Sequence, residues 1–282
     1  MSRIRQVVKT ILLPVMPIVY LVRDQRPMGR PINLIKTLYV NFRALPFNQA
    51  KHFPIYVYKN VKIYKLGKIC IESENLKSGM ITIGKADYTA QGFGKFFNGG
   101  KIVFRGPVEL GGGFILDNLG LMIFHGYNKL GPGITFIIRE RLEIGRYTTM
   151  GFCCFCMDSD DHYTINVDTL MVGRNKKPII IGSRNWIANR TFIKKGAVTP
   201  NFTIVASGNS LLSKDYSDMG PYCVLGGIPA KKIGSNIRRI YNLKEQARIE
   251  NYFISNPDRN VLSPDVTPEN IDDYCTSNYF QD

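Results

Sequence analysis

The chain has 282 residues, 44% hydrophobic and 21% charged, and its 37 Lys and Arg against 22 Asp and Glu give a net charge of +15. This balance excludes intrinsic disorder, a coiled coil and a polytopic membrane protein, and supplies enough apolar residues for a sizeable core. The positive excess favours an anionic partner, whether phosphate, acidic glycan, nucleic acid or a membrane face.

At the amino end Arg3, Arg5 and Lys9 precede an apolar run over residues 11–22. The run is shorter than the ~20 residues a membrane-spanning helix needs and contains Pro14 and Pro17, so it is no simple transmembrane helix. Two readings stay open: a basic-apolar segment lying on an anionic membrane surface, or an ordinary packed cap. Residues 32–45 then read as an amphipathic helix with Leu34, Ile35, Leu38 and Phe42 on one face. From Ile55, alternation through Val57, Val61, Ile63, Ile69 and Ile71 predicts the first strands.

An internal repeat decides the architecture. Ile181, Ile187, Ile193, Thr199, Val205 and Leu211 recur every six residues, and Ile102, Val108 and Phe114 keep the same spacing upstream. Ile138, Ile144, Met150 and Cys156 continue that numerical frame after weak positions at Gly120, Gly126 and Pro132. A period of six fits neither a helix nor simple strand alternation. It suits a triangular solenoid in which each flat face takes one hexapeptide and points one aliphatic side chain inward. The two frames differ by one residue, so residues 157–178 form a loop expelled from the coils, a usual place for chemistry. After Ile233, residues 237–253 return to helical spacing, and Pro257, Pro264 and Pro268 mark an extended tail. The predicted organisation is therefore a cap over residues 1–54, a solenoid over 55–233 and a helix with tail over 234–282.

Four phrases in order carry a family resemblance: Ile181-Gly182 with Asn185-Trp186-Ile187-Ala188, then Phe192 to Gly196, then Ser207 to Asp215, and finally Gly226-Gly227-Ile228-Pro229-Ala230-Lys231. The chain here resembles the hexapeptide-repeat acyltransferases, which include the maltose, galactoside, serine and xenobiotic O-acetyltransferases. It departs from their pattern at Ala188, at Pro200 and by one extra residue between Val205 and Lys214. The resemblance implies a mainly β fold, a left-handed parallel β-helix, to which the helical spacing adds an amino-terminal cap and a carboxy-terminal helix. It also implies a homotrimer with sites between neighbouring subunits, acetyl-CoA as acyl donor, a sugar or glycan acceptor, and no nucleic-acid partner.

By the same resemblance His162 matches the family's general base, an imidazole suited to take a proton near neutral pH. Asp161 and Asp158 are the candidates to orient it. Lys231 and Lys214 match basic positions toward the nucleotide of coenzyme A, with Lys232 and Lys195 as weaker candidates. Asn189, Ser207 and Gly208 fall where the family contacts the pantetheine arm, and Trp186 where it walls the acyl group. His125 is a candidate for acceptor binding. Cys153, Cys154, Cys156 and His162 cluster in sequence, but neighbours in a strand point to opposite faces, so no metal is expected. The sparse cysteines suit a reducing cytoplasm, with or without contact at the inner membrane face. Two other functions fit the repeat: transfer from acyl carrier protein, and a non-catalytic scaffold.

Overall fold

In a computed structural model, residues 32–85 and 92–276 are described. The basic-apolar run at residues 11–22 lies outside them. Among the described residues no helix is long and apolar enough to cross a membrane. The chain divides into two compact units, Met1–Asn236 and Ile237–Asp282.

The first unit is the left-handed parallel β-helix that the family resemblance implies. Its strands stack into three sheets of nine, seven and six members among the described residues. The first face runs from Ile55–Val57 to Val224–Gly226, the second from Val61–Lys65 to Leu211–Leu212, and the third from Lys68–Ile71 to Val198–Thr199. All pairings between coils are parallel. Only the last strand, Lys231–Gly234, turns back antiparallel on Val224–Gly226.

The repeat is longer than the sequence frame supposes. Coils upstream of the insertion advance by 20 residues, as in the column Lys95, Ile115, Thr135 and Phe155. The coil from Trp186 to Ile204 advances by 18. The six-residue spacing survives around two faces and slips by two on the third, where both i and i+2 of a strand point inward. Thus Phe104, Leu110, Leu116 and Met122 give way to Phe124, Leu130, Phe136 and Leu142, and these to Ile144, Met150 and Cys156, all buried. Gly120 and Gly126 fall on edges instead of in the core. A Cβ at Gly120 would lie 2.5 Å from the Glu140 carbonyl, and Gly126 has φ +94°, so the close stacking of turns needs glycine there. The extra residue after Val205 is absorbed at the next corner, so Leu212 and not Leu211 is buried.

Helix α1, Leu34–Ala44, covers the open end of the coils. The face read as apolar is not the one that packs: Thr37, Val40 and Asn41 are buried, whereas Ile35 is 80% exposed. The physical reason is hydrogen-bonding. The first strand lacks a neighbour on one side, and a buried backbone group without a partner is costly. Asn41 Nδ2 donates to Ile55 O at 2.7 Å and Asn41 Oδ1 accepts from Ile55 N at 3.2 Å, while Thr37 Oγ1 accepts from Val57 N at 3.0 Å. The short α2, Phe47–Ala50, follows, and from within it Gln49 Nε2 donates to Ile71 O.

The second unit holds α3, Leu243–Ser255, and α4, Ile271–Thr276. Helical spacing from residue 237 overstates α3. Asn242 caps it by accepting from Lys244 N and Glu245 N, and the N–H groups of Tyr241 and Asn242 go to Cys275 O. The segment expected as an extended tail therefore contains α4, held through Cys275 and an Arg238–Asp272 ion pair of 2.6 Å.

Candidate active site

The expelled segment leaves the solenoid after Phe155–Met157 and returns at Ile179–Ile181, on the edge between the second and third faces. It is a hairpin, with antiparallel bridges between Ser159 and Lys176 and between Ile165 and Val172. Its root is tied down by Lys177 N to Asp158 O, Asp160 N to Asn175 O, and the ion pairs Arg174–Glu140, Lys195–Asp160 and Arg139–Asp161. Beyond the root Tyr163, Ile165, Val167, Leu170, Met171 and Val172 are all exposed.

Asp158 does not orient His162. It is fully buried, and its carboxylate accepts from the backbone N–H of Arg139, Glu140 and Arg141, each at 2.7 Å. It stands in the column of Asn98 and Asn118, which brace the same edge on earlier coils. Its work is to hold a turn. Asp161 is engaged as well: Oδ1 accepts from the Ser159 hydroxyl at 2.9 Å and lies 3.4 Å from Arg139 Nε. The expected carboxylate–histidine arrangement is therefore absent among the described residues. His162 is exposed and meets no partner among the described residues.

A second histidine, His125, does have a carboxylate. His125 Nε2 lies 3.4 Å from Oε2 of Glu143, whose Oε1 meets Arg141. Sequence reading missed Glu143, although alternation over Arg141–Ile144 already turns it outward, one coil on from His125.

The residues expected to hold coenzyme A divide between two edges. Lys195 and then Lys214 follow the hairpin root along the second-to-third edge, with Val198 N donating to Lys214 O. Asn189, Ser207 and Gly208 lie on the first-to-second edge, and Trp186 on the outside of the first face. The Asn189 side-chain carbonyl accepts from Phe152 N at 3.1 Å, bracing the corner. Lys214 and Lys231 are exposed and make no ion pair among the described residues. Lys232 Nζ is occupied by Met219 O at 3.0 Å. Between the two edges the second face presents an outward row of Ile115, Thr135, Phe155, Phe192 and Leu211, in which the rings of Phe155 and Phe192 stack at 5.3 Å.

The sequence-adjacent cysteines separate in space. Cys153 is exposed at a corner, while Cys154 and Cys156 point inward, and burial pushes the Cys154 thiol up to about 11. Among the described residues no group of three His, Cys, Asp or Glu is placed to hold a metal ion.

Coils, hairpin and corner columns define a hexapeptide-type parallel β-helix from which the hairpin projects as an external arm. No family model matches the chain. No curated protein matches it. Among solved structures it is similar to the polySia-specific acetyltransferase NeuO, at 17% identity over 76% of this chain and 91% of that one, with a TM-score of 0.48. It is also similar to the polysialic acid O-acetyltransferase OatWY, at 18% identity over 70% and 94% of the two chains and a TM-score of 0.36. A further likeness is to AntD, an N-acyltransferase from Bacillus cereus solved with dTDP and 3-hydroxybutyryl-CoA, at 12% identity over 73% and 89% and a TM-score of 0.39.

Proposed function

We propose that the protein is an acyl-CoA-dependent O-acetyltransferase that acts on a sugar or glycan-linked acceptor as a homotrimer. The observation that carries this reading is the unpartnered, exposed imidazole of His162 on a hairpin whose root is pinned. Neither ring nitrogen of His162 is engaged by another described residue. The acceptor hydroxyl attacks the thioester carbonyl as His162 takes its proton; the tetrahedral intermediate then collapses, and the proton passes to the departing coenzyme A sulfur. No enzyme-bound acyl intermediate is needed.

The division of the site over two edges supports the trimer. Residues on opposite sides of one face cannot close on one ligand, but two copies placed side by side can bring the hairpin edge of one against the Asn189 edge of the other. The exposed apolar tip of the hairpin and the apolar second face are surfaces suited to that contact. Lys214 and Lys231, with no carboxylate partner among the described residues, fit the phosphates of the donor as flexible point charges.

The test is His162→Ala. Acetyl transfer from acetyl-CoA should fall about a hundredfold, the contribution of a positioned base, while coenzyme A affinity measured by calorimetry stays unchanged. Lys231→Glu should do the reverse, weakening coenzyme A binding. A second reading has one observation in its favour, the carboxylate beside His125: if His162→Ala turns over at the parent rate and His125→Ala does not, the base is the His125–Glu143 pair. A protein that takes acyl groups only from acyl carrier protein, or from no donor, would establish one of the two other functions instead.

A further inference from the structure

The capped end of the solenoid carries a surface that acyl transfer does not use. Because α1 gives Thr37 and Asn41 to the open edge of the first strand, its amphipathic stripe faces away from the core. Leu34, Ile35, Leu38, Tyr39 and Phe42, continued by Phe47 of α2, are each at least 41% exposed. An apolar patch of this kind on a helix face marks an interaction site.

Its electrostatic setting is one-sided. Residues 1–71 contain 13 Lys and Arg and a single acidic residue, Asp24, so +12 of the chain's +15 lies in its first quarter. Arg43, Lys51, Lys59, Lys62, Lys65 and Lys68 are exposed, and none pairs with a described acidic residue. Lys36 Nζ donates to Lys59 O at 3.1 Å and to Val61 O at 2.5 Å, which fixes α1 beside this group.

We propose that this face docks on an anionic lipid bilayer, with the apolar stripe of α1 and α2 entering the headgroup boundary and the surrounding cations meeting lipid phosphates. Charge selects this occupant over a second copy of the chain, which would press one set of unpaired cations against another. Chain continuity favours it too. The 31 residues before Ile32 hold six of the basic residues and the apolar run 11–22, so a segment of the same chemistry leads directly into α1.

The experiment is co-sedimentation of the full chain with vesicles of phosphatidylcholine containing about one-third phosphatidylglycerol, against phosphatidylcholine alone. Binding should require the anionic lipid and weaken with salt. Ile35→Ser with Phe47→Ser, both at exposed positions, should lower partitioning about tenfold or more with an unchanged thermal midpoint. Lys62→Glu with Lys65→Glu should lower it comparably and flatten its salt dependence. Binding that both pairs leave intact, whether or not it needs residues 1–31, overturns the proposal, as does failure of the full chain to bind. A fall in molar mass by light scattering for Ile35→Ser with Phe47→Ser, without loss of vesicle binding, would assign the face to contact between copies and overturn it as well.

Discussion

Two edges of the prism solve the same turning problem in different ways. Where the third face passes to the first, Tyr127, Tyr147, Arg184, Phe202 and Tyr222 occupy equivalent corners, all with φ between +55° and +60°. Tyr127 stacks on Tyr147 at 4.7 Å and Phe202 on Tyr222 at 4.7 Å, with the Arg184 guanidinium 5.5 Å from the Tyr147 ring and 5.3 Å from the Phe202 ring. Where the second face passes to the third, small and polar residues brace the turn instead, Asn98, Asn118 and then Asp158, and after Asp158 the chain departs into the hairpin. Tyr147 and Arg184 are separated by the whole insertion and still meet at the next corner. The insertion is thus external to the coil stack. Closing a longer loop costs little once its ends are fixed, so an edge with a strong brace can release a segment for chemistry while the opposite edge keeps the register.

The comparison breaks first at Asp158. Asp158→Ala leaves three backbone N–H groups of the Arg139–Arg141 turn without their acceptor, which should cost about 3 kcal/mol of stability in denaturant unfolding. Asp158→Asn should recover part of this, because asparagine already serves in the same column at Asn98 and Asn118. A variant of unchanged stability but greatly reduced turnover would return Asp158 to the role of orienting carboxylate.

This residue also shows how far the sequence could be read. The solenoid was legible because inward aliphatics have no substitute for filling a narrow core, so Ile181, Ile187, Ile193 and Val205 announce the period themselves, and all four are buried. The 20-residue coil was hidden because its two additional residues sit on a strand that points both i and i+2 inward, making the frame look merely weak at Gly120 and Gly126. Asp158 was misread because an aspartate beside a histidine has the same letters whether it faces the ring or the backbone. Only its place in the column of Asn98 and Asn118 distinguishes the two, and that column is visible only with the correct coil length. The cap helix was misoriented for a related reason: hydropathy ranks Leu34, Ile35 and Leu38 above Thr37 and Asn41, but an open sheet edge needs hydrogen-bonding groups more than it needs methyls.

A smaller effect separates the hairpin from its root. Asp161→Asn removes the charge that Arg139 meets at 3.4 Å, but Arg139 keeps Asp117 at 2.8 Å, and Asp160, Arg174 and Lys177 still hold the root. Turnover should fall by less than about tenfold, since an exposed ion pair contributes at most about 1 kcal/mol. A loss equal to that of His162→Ala would mean that Asp161 leaves Arg139 and joins the imidazole during the reaction.

The smallest effect is expected on the unbroken edge. Arg184 lies between two rings, and among the described residues it has no carboxylate partner and its buried Nε has no hydrogen-bond acceptor. Its attraction to the ring faces is therefore set against the desolvation of one donor. Arg184→Ala should cost about 0.5–1 kcal/mol, a partly exposed cation–π contact reduced by that penalty. Arg184→Leu should cost less, since the leucine keeps the aliphatic contact with Tyr147 and Phe202 and leaves no donor unsatisfied. Neither should change acetyl transfer, because the corner lies across the prism from His162. If either variant destabilised the protein as much as Asp158→Ala, the register of the coils past the insertion would depend on this one stack, and the two edges would differ in their residues but not in their duty.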